Sequence, residues 1–122
     1  MSRTDELNDA LSELQSGSAD IEACAVVSED GLIIASSLPQ GLEETRIAAM
    51  SAVMLSMGSR TAAELQRGAL QQIFVKGEHG YAIIMNAGPH SVLLAMTRQE
   101  AKLGLIFLDL SRTAGKVKNI LS

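Results

Sequence analysis

Two short runs near the middle of the chain, YAIIMN (81–86) and SVLLAMT (91–97), constrain the fold most, because they are apolar on both alternating faces. A strand with one face in water alternates apolar and polar residues, whereas one that is apolar throughout must be covered on both faces. The connection Ala87-Gly88-Pro89-His90 has turn chemistry, so the two runs read as adjacent central strands of an antiparallel sheet with helices on both sides.

A third strand signal, 71–76, precedes them across Gly77-Glu78-His79-Gly80. It alternates only weakly, with Ile73 and Val75 on one face and Gln72, Phe74 and Lys76 on the other, which suits the edge of the sheet. An open edge needs protection or a partner, and its own twofold mate is an economical one. Proline at Ile73 or Val75 is then expected to abolish such pairing by removing a ladder N–H.

Two more strands come earlier, at 21–27 and 32–36, joined by Ser28-Glu29-Asp30-Gly31; Asp-Gly is a strong hairpin signal because glycine accepts positive φ. Three helices complete the pattern. Leu7, Ala10, Leu11 and Leu14 mark a short amphipathic helix over 4–15, with Ser2 and Thr4 as caps and Asp5 and Glu6 at its positive end. Ile47, Met50, Met54, Met57, Ala62 and Leu65 mark a long helix from Glu43-Glu44 to about Gln66. Leu103, Phe107, Leu110, Ala114, Val117 and Leu121 mark a closing helix, although LGLIFLDL alone also fits a strand and Gly104 and Gly115 weigh against a helix.

The long helix carries small residues around much of its circumference, Ala48, Ala49, Ser51, Ala52, Ser56, Gly58, Ser59, Ala62 and Ala63 among them. Two readings stay open: a helix lying across the sheet, or one that also faces a second copy of itself.

At 122 residues, 47% apolar and 20% charged, the chain is read as a single ordered domain over 1–122. Phe74, Tyr81 and Phe107 are its only aromatics, so an interface would lean on Leu, Ala and the six methionines. The net charge of −4 divides into −9 over residues 1–44 and +5 over 45–122, and no Lys/Arg cluster interleaved with aromatics points to nucleic acid. Cys24, the one cysteine, lies in an apolar run and reads as a buried thiol in a reducing, cytoplasmic setting. The N-terminus begins with polar residues, and the longest nearly apolar run, 47–58, falls short of the roughly 20 residues a spanning helix needs, so no direct membrane insertion is expected.

Candidates for chemistry are few. His79 and His90 lie in turns and would offer a metal or a proton relay only if the turns met at one end of the sheet. Asp20, Glu29 and Asp30 lack the every-second-residue oxygen spacing of a calcium loop. No glycine-rich phosphate loop with Lys-Ser/Thr occurs. Arg60 would be an arginine finger only in trans, from a helix interior that holds it rigidly. The residues therefore suggest no enzyme, no catalytic group, no metal and no cofactor.

The hairpin ACAVVSEDGLIIAS, the helix IAAMSAVMLSMGSRTAAEL, the strand LQQIFVKG, the pair YAIIMNAG and SVLLAMT, and the closing AKLGLIFLDL occur in an order that resembles the roadblock/LC7 family, minimal prokaryotic members related to a gliding-motility GTPase regulator in particular. That resemblance implies an α/β sandwich: a five-stranded antiparallel sheet in the order second, first, fifth, fourth, third, with the long helix on one face and the terminal helices on the other. It further implies a protein-binding homodimer that regulates or scaffolds a small Ras-like GTPase, the alternative being a structural scaffold indifferent to nucleotide. Third strands would pair and long helices lie side by side, which assigns Met50, Met54, Met57, Gly58, Gln71, Ile73, Phe74 and Val75 to the dimer interface.

Overall fold

A computed structural model describes residues 2–122. Its order is α1 (Arg3–Gly17), β1 (Ile21–Ser28), β2 (Ile33–Ser37), α2 (Glu44–Glu64), β3 (Gln72–Gly77), β4 (Gly80–Asn86), β5 (Ser91–Arg98) and α3 (Leu103–Leu121). The five strands form one antiparallel sheet in the order β2-β1-β5-β4-β3, as expected.

Each element follows from local chemistry. Ser2 caps α1 in a reciprocal box with Asp5, satisfying two donors that a helix start leaves free. The β1–β2 connection spans four residues, with Gly31 at φ +84 and its N–H bonded to the Ser28 carbonyl. The β3–β4 connection needs only Glu78 and His79. The closing segment is helical from Leu103 onward, so the 3.6-residue stripe prevails over the strand-like texture of LGLIFLDL.

Two cores lie back to back across the sheet. On one face, Leu7, Leu11 and Leu14 of α1 and Ile106, Leu110 and Val117 of α3 pack on Cys24, Val26, Ile83 and Leu93. On the other, α2 covers Ala25, Val27, Ile84, Val92 and Leu94. The cover is unequal. Four of fifteen α1 residues and five of nineteen α3 residues are buried, but in the twenty-one-residue α2 only Ala48 and Ser51 are. Ser51 sits there without penalty because its hydroxyl donates to the Ile47 carbonyl at 2.9 Å.

Candidate interaction site

α2 turns Ile47, Ala48, Ser51, Leu55 and Gly58 toward the sheet and leaves Met50, Val53 and Met57 at 58%, 62% and 57% exposure on its outer side. Residues three and four apart share a helix face, so these three make one apolar stripe, continued by Arg60 and Glu64, which pair at 3.0 Å. The expected interface residues therefore divide. Met50 and Met57 point outward, while Met54 is partly buried against the sheet. Val53, hidden in the sequence by the small residues that surround much of the helix, lies at the centre of the stripe.

Gly58 has a reason for its size inside the chain. A Cβ built on it would lie 2.5 Å from Ile73 Cδ1 and 3.2 Å from Leu70 Cδ2. The close approach that the sequence implies is thus α2 on β3, with the open reading of α2 against a second copy resting instead on the outer stripe.

β3 is an edge strand on its outer side. Gln71 and Gln72 are exposed, Ile73 is half-buried against the α2 core, and Phe74 and Val75 are 52% and 48% exposed. The ladder decides which backbone groups are free. Gln71 accepts from Asn86 N–H at 3.3 Å, and the register runs Ile73↔Ile84, Val75↔Ala82, Gly77↔Gly80. In an antiparallel pair, hydrogen-bonded residues alternate. Ile73, Val75 and Gly77 therefore spend their N–H groups on β4, and Gln72, Phe74 and Lys76 direct theirs outward. This corrects the expectation for proline at Ile73 or Val75, which would break the internal ladder; the outward donors belong to the even-numbered residues.

The two faces of β3 also differ. Phe74 opposes Ile83 on the α1/α3 side and meets the Phe107 ring edge to face at 6.1 Å. Lys76, on that same side, has its ammonium 6.0 Å from the Tyr81 ring centre.

The remaining chemical candidates lie apart. His79 and His90 stand at opposite ends of β4, a strand of seven residues and so about 20 Å long, which overturns the idea that the turns meet. His90 instead contacts Glu29 across the sheet end at 2.9 Å. Cys24 is fully buried, and desolvation pushes its thiol up to about 11. Among the described residues no three His, Cys, Asp or Glu side chains gather as a metal site, and no helix is long and apolar enough to cross a membrane. A depression of about 690 Å³ between the C-terminal half of α2 and the turns at Glu29–Asp30 and Gly88–Pro89 is an open cleft lined by Ser56, Ser59, Asn86 and Ser91 beside alanines and leucines.

Comparison with known proteins agrees with this geometry. The sequence profile of the Roadblock/LC7 domain matches residues 7–97. MJ0310 of Methanocaldococcus jannaschii is 38% identical over 98 residues, covering 80% of this chain and 85% of that protein. MglB of Myxococcus xanthus superposes with a TM-score of 0.91 over 99% of this chain and 91% of its own, at 17% identity. MglB in a tetrameric arrangement gives 0.90 over 98% and 90%, at 18% identity. At such identities the two structures speak for the fold alone.

Proposed function

Because the chain belongs to the Roadblock/LC7 family, we propose that it is a single-domain protein-binding module that pairs with its own copy through β3 and α2 and presents the paired surface to a small Ras-like GTPase. The observation that carries the pairing is the β3 edge, with its outward backbone groups at Gln72, Phe74 and Lys76 and its half-exposed Phe74 and Val75.

A twofold antiparallel partner would satisfy those groups, extend five strands to ten and set the two Met50–Val53–Met57 stripes together on one face. Burying the exposed half of Met50, Val53, Met57, Phe74 and Val75 is worth about 1 kcal/mol each. Two copies bury ten such side chains, about 10 kcal/mol in all, which lies within the roughly 4–15 kcal/mol that association costs. The side chains therefore offset much of that cost, and the backbone ladder fixes the register of the pair and adds a further contribution. The GTPase part of the proposal is supported by the family and by the MglB-like fold. The dimeric part draws support from an MglB found in a tetrameric arrangement.

Sedimentation equilibrium tests the first half: the wild type is expected at twice the mass of one chain and Met57→Asp at the mass of one, and a monomeric wild type at tens of micromolar refutes it. A pull-down from source lysate with a non-hydrolysable GTP analogue or GDP tests the second. Enrichment of a Ras-like GTPase with the analogue is the expected outcome; nucleotide-independent partners alone would favour the scaffold.

A further inference from the structure

The cleft of about 690 Å³ beside α2 has no part in the pairing proposed above. One wall is Ala52, Ser56, Ser59 and Ala63, which recur at steps of four, three and four and so share one side of the helix. Ser56, Ser59 and Ala63 are exposed, so their small size keeps the cleft open, unlike that of Gly58, which answers to Ile73. The facing wall includes Leu70 and Asn86, held together because the Asn86 side-chain amide donates to the Leu70 carbonyl. Gly31 packs on Ala52, with 3.5 Å between a Cβ built on it and the Ala52 Cβ, which sets Glu29 and Asp30 at the Ala52 end.

We infer that this cleft receives an extended segment of a partner protein, about five residues long, with Lys or Arg at the end held by Glu29 and Asp30. From Ala52 to Ala63 the helix advances about 16 Å, the reach of five extended residues. Spread over that length, 690 Å³ gives a cross-section of about 43 Å². A strand in packed sheets takes about 48 Å², from spacings of about 4.8 Å and 10 Å, whereas a helix takes roughly 80–110 Å². The cleft therefore fits a single extended chain and is too narrow for a helix.

Charge selects the occupant. No Lys or Arg lines the cleft, and Arg67, beside Gly68, is turned back, its Nε–H donating to the Leu65 carbonyl at 3.0 Å. Glu29 is steadied by His90 at 2.9 Å, and the exposed Asp30 forms no ion pair among the described residues. A cationic side chain is the complement of that end. The backbone suits an extended occupant too. Among the described residues the N–H groups of Ala69 and Leu70 form no backbone hydrogen bond and the Asn86 amide oxygen accepts none, which leaves main-chain partners of the kind a bound extended peptide uses. The whole lining comes from one chain, so the site stands whether or not the chain pairs.

Randomised eight-residue peptides displayed on phage are selected in parallel on the full chain and on Ser59→Trp, whose indole would fill the cleft. Peptides recovered by the wild type alone are expected to carry Arg and Lys at least threefold above their share of the pool. A labelled representative is expected, by fluorescence anisotropy, to bind Glu29→Gln with Asp30→Asn at least tenfold more weakly than the wild type, with circular dichroism confirming that both variants keep the fold. Should Ser59→Trp not fold, the double variant, whose side chains keep their size, takes its place in the selection. No recovered peptide, peptides without the basic excess, or peptides that wild type and variant bind equally overturn the proposal, as does a representative that is helical when bound. A Ser59→Trp chain whose mass in sedimentation differs from that of the wild type assigns the cleft to a second copy and overturns it too.

Discussion

Replacing Gly58 with alanine sets two effects of similar size against each other. Alanine in a helix interior is favoured over glycine by about 1 kcal/mol. The added Cβ would stand 2.5 Å from Ile73 Cδ1 and 3.1 Å from its Cγ1, so Ile73 must turn away or α2 must lift. Ile73 is half-buried, and leaving its rotamer costs about 0.5–1.5 kcal/mol. Gly58→Ala is thus expected to change stability by no more than about 0.5 kcal/mol. Ile73→Val removes the offending Cδ1 at a cost of about 0.5–1 kcal/mol for a partly exposed site. In that background Gly58→Ala is expected to return close to the full 1 kcal/mol of helix propensity, a coupling of about 0.5–1.5 kcal/mol. Urea unfolding followed by circular dichroism, at one protomer concentration because pairing adds to apparent stability, measures all four corners of the cycle. Additive changes, with Gly58→Ala stabilising the native background by the full amount, would refute a tight α2–β3 contact at Gly58.

Three further outcomes are expected. Lys76→Pro removes an outward N–H and should leave a folded monomer, whereas Val75→Pro breaks a bond to β4 and should cost about 1–3 kcal/mol of stability; equal effects on dimer mass and midpoint would contradict the ladder assignment. The Cys24 thiol, raised to about 11 from 9.0, keeps its proton in the fold after the unfolded chain has lost it, so stability should fall as pH rises from about 9 to 11. The difference should vanish in Cys24→Ala, and rapid labelling of native Cys24 by a thiol reagent at pH 8 would contradict its burial. Glu13 is held below its usual value by the hydrogen bond, and then the charge, of Lys116 at 2.7 Å; this small contribution is present above pH 4.5 and lost as pH falls through the lower folded value. Carbon-13 titration of the Glu13 carboxyl in wild type and Lys116→Ala should show the value rise in the variant.

Much of the fold was legible because it is written in short periods. Ser2 and Asp5 announce the start of α1, Asp30-Gly31 the first turn, and the two-faced apolar runs at β4 and β5 the centre of a sheet covered on both sides. The site was legible only in part. β3 could be placed at the edge from its weak alternation, and Met50 and Met57 could be assigned to α2, but small residues around the helix hid which side faced outward and concealed Val53.

The sequence alone determined the elements, their order and the central or marginal place of each strand, since burial on one or both faces leaves its period in neighbouring residues. Tertiary structure decided which β3 amides remain free, that Gly58 answers to Ile73, that His79 and His90 stand at opposite ends of β4, and that Phe74 meets Phe107. These depend on ladder register and on the rotation of a helix about its axis. Both are fixed by contacts between residues far apart in the chain, which no local pattern records.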